Sequence, residues 1–247
     1  MTATVEIDNL TKVFGGLRAV DGVSLQVAAG ERRALIGPNG AGKTTLFHCV
    51  TGTHQASSGS VKLFGNDVTY LPEHRRTKLG MGRTFQITNV FTDLSLIENL
   101  ALAIVGTDRR KWIWNRSLSS FPDIRAQALA GLDAVGLKER ADEPVKLFSY
   151  GERRQLELAL ALSTHPRVLF LDEPCAGLSP SERQRIFNMI RALPREITLV
   201  MIEHDMDVAL GLADRVTVMN RGRVMAEGTP AEMQTNPEVR NVYFGHV

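Results

Sequence analysis

The residues best equipped for chemistry form one run, Gly37-Pro38-Asn39-Gly40-Ala41-Gly42-Lys43-Thr44-Thr45, directly after the apolar stretch Ala34-Leu35-Ile36. Glycines let a backbone curl tightly enough to aim successive N–H groups inward, and a following helix adds the positive end of its dipole. These are the parts of a cradle for a nucleoside triphosphate, with Lys43 reaching the β- and γ-phosphates and Thr44 ligating Mg²⁺. Such a loop needs a strand before it and a helix after it, and the apolar pattern supplies both, at Ala34 to Ile36 and Lys43 to Val50. Alone, the loop implies only nucleotide binding.

A second run narrows the chemistry: Val168-Leu169-Phe170-Leu171, then Asp172-Glu173-Pro174. A buried strand here would deliver Asp172 at its C-terminal end, to hold the Mg²⁺ shell. Adjacent Glu173 would then orient or deprotonate the water that attacks the γ-phosphate. Without the loop, Asp-Glu-Pro could simply end a strand.

The elements that must position these groups alternate in type. Strand-length runs occur at Val5 to Ile7, Val23 to Val27, Ala34 to Ile36, Val168 to Leu171, Thr198 to Ile202 and Val216 to Met219. The last four are continuously apolar, as expected of strands covered on both faces. Helical patterns follow three of them, at Lys43 to Val50, Ser181 to Leu193 and Asp205 to Leu212, which is the grammar of a mainly parallel α/β sheet. The first runs, with turns at Gly15-Gly16 and Ala29-Gly30, suggest an antiparallel β layer. From Leu94 to Leu162 strand signal almost vanishes, and Ile97 to Val105, Ile124 to Val135 and Gly151 to Leu162 read as helices of an insertion. The stretch Thr107 to Ser120, with Trp112 and Trp114, has no period and reads as a loop or short irregular helix.

Composition excludes several classes. Lys plus Arg number 29 against 27 Asp plus Glu, a net charge of +2, so no concentrated basic face argues for nucleic acid. Apolar content is 43% and charged content 23%, ordinary for a globular protein of 247 residues. No apolar stretch reaches the ~18 residues a spanning helix needs, and the N-terminal residues do not resemble a secretory signal. If the protein works at a membrane, partners must supply the spanning helices. Cys49 and Cys175 lack metal-ligand spacing and read as buried thiols.

In this order the motifs resemble the ATPases of ABC transporters, over essentially the whole chain. The resemblance implies a P-loop NTPase α/β core (residues 1–90 and 163–220) with an N-terminal antiparallel β layer. It also implies an inserted α-helical subdomain (91–162) and a C-terminal tail (221–247), all in one ATPase domain. The family signature, usually LSGGQ, matches Phe148-Ser149-Tyr150-Gly151-Glu152; Tyr150 and Glu152 depart from it, while Ser149 and Gly151 keep the positions that contact γ-phosphate in the family. Gln86 matches the glutamine loop that senses Mg²⁺, His204 the switch histidine, and Phe14 the aromatic that stacks on adenine. Ser179 stands where the family usually has an aspartate after the catalytic glutamate.

Each ATP in this family is enclosed by the phosphate loop of one subunit and the signature of another. The resemblance therefore implies a second ATPase subunit, identical or different, and two transmembrane permeases at the cytoplasmic face of the inner membrane. Segments Gly82 to Gln86, Ile97 to Leu100, Asp172 to Leu178, Ile202 to Met206 and Asn236 to Gly245 further resemble ATPases of branched-chain amino-acid uptake, which also use a periplasmic solute-binding protein. The ATPase of lipopolysaccharide export, which shares the Gly151 to Arg154 run, is the nearest alternative. Non-transport ABC proteins generally carry two ATPase domains or a long coiled coil, whereas this sequence shows one phosphate loop and no sustained heptads.

Overall fold

The computed structural model describes residues 3–84, 90–107 and 121–244. Two long antiparallel strands, β1 (Ala3–Phe14) and β2 (Leu17–Ala28), open the chain. Then come β3 (Arg32–Ile36), α1 (Lys43–Thr51), β4 (Ser58–Leu63), β5 (Asn66–Asp67), α2 (Glu73–Lys78) and β6 (Met81–Arg83). The helices α3 (Leu96–Thr107), α4 (Pro122–Ala134) and α5 (Tyr150–Leu162) occupy the middle. The last part runs β7 (Val168–Asp172), α6 (Pro180–Ala192), β8 (Thr198–Ile202), α7 (Met206–Leu212), β9 (Arg215–Asn220), β10 (Arg223–Gly228), α8 (Pro230–Thr235) and α9 (Pro237–Phe244).

Among the described residues the strands form two sheets, β2-β1-β4-β5 and β10-β9-β3-β8-β7-β6. The first is antiparallel. In the second, β9, β3, β8, β7 and β6 are parallel and β10 is an antiparallel edge. Every residue of β3, β7 and β8 is buried because both faces of the sheet are covered. Alternation divides the side chains: Val168 and Phe170 pack toward α1 and the antiparallel layer, Leu169 and Leu171 toward α6 and α7. A third core joins Leu96, Leu100, Ile124 and Leu132 of α3 and α4 to Leu156 of α5. Leu158, two residues on, packs into the sheet's core, so α5 ties the helical unit to the sheet.

Local sequence sets the helix starts. Ser149 with Glu152, Ser179 with Glu182, and Thr229 with Glu232 close reciprocal capping boxes on α5, α6 and α8. Each N-cap is worth about 1 kcal/mol, and proline opens α6 and α8 with its φ already helical.

The expected elements are present, with differences at their edges. β3 begins at Arg32 rather than Ala34, because Arg32 and Arg33 are buried with partners for their terminal guanidinium nitrogens. Arg33 pairs with Glu31 (2.6 Å) and Glu227 (3.0 Å), and Arg32 donates to the carbonyl of Leu193 (2.8 Å). The short strands β4, β5 and β6 and helix α2 carried no clear period. Residues 223–228, at the start of the expected tail, form the edge strand β10. Thr107 ends α3, and the rest of the Thr107 to Ser120 stretch, with Trp112 and Trp114, lies outside the described residues.

Candidate active site

The three adjacent strands β3, β8 and β7 all end on one side, where ligands collect in open parallel sheets. β3 runs into the glycine-rich loop, β7 into Glu173 and β8 toward His204. Together they enclose a cleft of about 600 Å³ lined by Asn39, Gly40, Ala41, Gly42, Lys43, Thr44 and Thr45, with Glu173 and His204 opposite. Leu17, Ala19 and Gly222 complete the rim.

The loop closes because Gly42 sits at φ 96°, and a Cβ there would lie 2.3 Å from the Ala19 carbonyl oxygen. Only glycine meets both demands. It delivers Lys43 to the first turn of α1, 4% exposed, with Nζ donating to the carbonyls of Gly37 (2.7 Å) and Pro38 (3.0 Å). Burial lowers the lysine's pKa, and the charge of Glu173 partly restores it. An ammonium held this way can exchange carbonyl oxygens for phosphate oxygens without leaving the loop.

Asp172 ends β7 fully buried, and neither of its carboxylate oxygens has a hydrogen-bond partner among the described residues. Burial pushes its pKa up, Glu173 adds to the effect, and Arg83 and Arg154 oppose it. A buried carboxylate without donors suits a hard cation, which needs oxygen ligands and leaves room for phosphate and water. Thr44 in the cleft offers a hydroxyl to the same cation.

Glu173 adopts φ 49°, a conformation uncommon for any residue but glycine, and its amide donates to the carbonyl of Ile202 (3.0 Å). Strain of this kind concentrates at functional positions. It turns the carboxylate out of the sheet to meet His204, whose Nε2 lies 2.6 Å from Oε1. The pair could position and deprotonate a water molecule facing a phosphate held by the loop.

The remaining expected residues stand apart from this cleft's lining. Phe14 ends β1 and pairs across the hairpin with Leu17, which does line the cleft. His54 meets its ring edge-on at 5.5 Å and Lys12 lies 4.8 Å from its centroid. Ser149 caps α5 on an exposed surface, with Gly151 in the same first turn. Gln86 lies outside the described residues. The chain before it is held against β7: the Thr84 amide donates to Phe170 (3.0 Å), and Asp172 N–H donates to Thr84 Oγ1 (3.4 Å).

Each departure from the signature pattern has a structural use. The Tyr150 hydroxyl accepts from Arg154 (2.8 Å), whose guanidinium pairs with buried Glu157 (2.9 Å). Glu152 closes the cap and pairs with Arg140 (2.6 Å). Ser179 caps α6.

Two carboxylates beside expected site residues gave no sequence signal. Glu203, beside His204, is 3% exposed, and burial pushes its pKa up to about 7. Glu182 reaches from α6 to Ser149. An acidic residue next to a switch histidine, or at the third position of a capped helix, is too common to single out.

The family model described as "ABC transporter" matches residues 20–176, across the loop, the signature and the Asp-Glu pair. The chain belongs to the ABC transporter ATPases. A second family model, "Branched-chain amino acid ATP-binding cassette transporter", matches residues 223–247. Among curated relatives of this ABC ATPase, the high-affinity branched-chain amino acid transport ATP-binding protein BraF of Pseudomonas aeruginosa is 38% identical, covering 98% of this chain and 97% of its own. The corresponding protein LivG of Escherichia coli K12 is 36% identical over 98% and 97%. An ATP-binding cassette solved in its ADP conformation superposes with a TM-score of 0.87 at 28% identity, covering both chains fully. A nucleotide-free cassette gives 0.86 at 29%, covering 99% of this chain and all of the other. The chain is thus an ATP-hydrolysing subunit of a membrane transporter. Among its described residues, no helix is long and apolar enough to cross a bilayer.

Proposed function

We propose that this ATPase powers import of branched-chain amino acids, or of a closely related small solute, through two permease subunits fed by a periplasmic binding protein. It would work at the cytoplasmic face of the inner membrane, paired with a second ATPase subunit. The observation that carries catalysis is the meeting of the Glu173–His204 pair with Lys43 around one cleft. The cargo rests on the branched-chain amino acid transport for which the relatives are named and on the match at residues 223–247, which favour uptake over lipopolysaccharide export.

In this mechanism Gly37 to Thr45 wrap the triphosphate with main-chain amides, and Phe14 stacks on the adenine. Lys43 holds the β- and γ-phosphates. Asp172, Thr44 and Gln86 would hold Mg²⁺, which would supply charge neutralisation for phosphoryl transfer. Glu173 takes the proton of the attacking water while His204 orients it against the γ-phosphate. Ser149 and Gly151 donate to the γ-phosphate bound on the other ATPase subunit, so neither subunit completes a site alone. The core at 1–90 and 163–220 and the helical unit at 91–162 would move relative to each other as ATP binds unequally to open and closed states.

A second cavity of about 380 Å³, lined by Arg83, Phe91, Asn99 and Leu102, opens between core and helical unit. Phe91 is 62% exposed there. We assign this groove to the permease's cytoplasmic helix.

The test uses the assembled transporter in lipid vesicles. Glu173→Gln should lower ATP turnover by roughly 10²–10⁴-fold, the scale of a lost general base, while ATP remains bound and labelled leucine uptake stops. Undiminished turnover would remove Glu173 from its role; full turnover without uptake of leucine or a related solute would reject the cargo.

A further inference from the structure

Glu182 lies in the first turn of α6, and both of its oxygens are engaged. Oε2 takes the hydroxyl and the amide of Ser179, at 2.7 and 3.1 Å, closing the cap of its own helix. Oε1 crosses to α5, where the Ser149 hydroxyl donates to it at 3.3 Å and the Gly151 backbone lies against it. The approach is close: a Cβ on Gly151 would stand 2.3 Å from Oε1 and 2.5 Å from the carboxylate carbon. These hydroxyl and amide donors hold the carboxyl below the usual range, and no cation is among the groups that do so. Glu152, the other acid of this turn, is paired with Arg140.

The Ser149 hydroxyl that Glu182 occupies and the Gly151 backbone that it covers are the groups assigned above to a γ-phosphate. One hydroxyl and one amide at a helix start cannot serve a carboxylate and a phosphate together, and the two anions repel at that distance. We propose that Glu182 is the resident anion of the signature seat, which the γ-phosphate bound on the partner ATPase subunit must displace before the two subunits close. The proposal rests on the assignment of Ser149 and Gly151 to that phosphate. It makes Glu182 a positioning residue that sets the ATP concentration at which closure occurs. It also gives the signature a line to the chain's own catalytic glutamate. The carboxylate that leaves Ser149 is the one that holds Ser179, six residues after Glu173. Arrival of a phosphate at one site would loosen the segment beside the other.

Glu182→Gln is the discriminating change, because glutamine at this helix position still completes a capping box but competes as a neutral group. In the assembled transporter, with Glu173→Gln blocking turnover, closure is followed by a distance probe across the ATPase interface during ATP titration. E182Q should lower the half-maximal ATP concentration by about fivefold, the gap between a charge-assisted and a neutral hydrogen bond. Ser149→Ala, measured alongside, should raise it. An E182Q midpoint that is unchanged or higher, with S149A raised, overturns the displacement and leaves the signature assignment standing. An S149A midpoint equal to that of the parent overturns both.

Discussion

Replacing Glu203 with glutamine should stabilise the protein in a pH-dependent way, and the structure fixes the sign. The carboxyl is 3% exposed and accepts the amide of Cys175 at a long 3.4 Å. Burial is the largest influence, the amides of Cys175 and His204 oppose it, and the charges of Asp205 and Glu173 add to it, raising the pKa from 4.5 to about 7. An unfolded chain releases this proton near 4.5 and the folded one near 7, so between those values the native state binds more protons. Stability from this group is complete below pH 4.5, falls as pH rises toward 7, and stays lost above it. At 1.36 kcal/mol per pH unit the full loss is roughly 3 kcal/mol. Glutamine keeps the shape and the acceptor oxygen but never ionises. For a chain of this length, ~2–4 °C per kcal/mol predicts a melting temperature about 6–12 °C above the parent at pH 8, with the gain shrinking steadily toward pH 5. Nucleotide-free thermal melts of both proteins at four pH values would measure it. A difference that does not vary with pH would refute the argument, because it would mean that Glu203 does not titrate in this window.

Three further outcomes follow from the same geometry. Asp172→Asn removes a buried carboxylate that has no hydrogen-bond donors among the described residues, so the magnesium-free protein should melt no lower than the parent. Magnesium-dependent ATP turnover should fall by at least tenfold. Gly42→Ala puts a methyl group against the Ala19 carbonyl at a positive φ, and should abolish nucleotide retention on a filter-binding assay. Arg76 is 1% exposed and donates to the carbonyls of Cys49, Val50, Thr69 and Leu71. Arg76→Leu strands these acceptors behind the phosphate-loop helix and should cost roughly 3 kcal/mol in denaturant unfolding.

The sequence displayed the central strands because each is buried on both faces and therefore apolar without interruption. Val168 to Leu171 and Thr198 to Ile202 could be read directly. β3 was legible only from Ala34, since its first two residues are arginines: Arg32 donates to the carbonyls of Arg191 and Leu193, and Arg33 pairs with Glu31 and with Glu227, the latter almost two hundred positions away. β6 is three residues long and takes its conformation from β7, its neighbour in space. The starts of α5 and α6 were written locally, in serine and glutamate three apart, and their expected bounds differ by one residue, whereas α8 and α9 lie in a stretch that read only as a tail. α2 escaped because its six residues bury only Arg76, a side chain that no hydrophobic pattern reports.

The cleft obeys a different logic. Glycines, lysine and threonine in a fixed spacing announce a phosphate loop, because the loop is built from consecutive backbone. The Glu173–His204 contact spans 31 positions and exists only because β7 and β8 are parallel neighbours in register, with Asp172 opposite Ile202. Glu173 directly after β7 and His204 two residues after β8 then emerge side by side, and Glu173 adopts a positive φ there. The signature emerges elsewhere, at the start of α5, and Ser149 is absent from the cleft's lining. Its hydroxyl meets Glu182 instead of the loop. In the proposed mechanism a phosphate held by Lys43 would therefore need the helix start of a second ATPase subunit to close its open flank. The departures at Tyr150, Glu152 and Ser179 leave that capacity in place, because each side chain is absorbed by a partner within the chain and none of them accepts the Ser149 hydroxyl hydrogen.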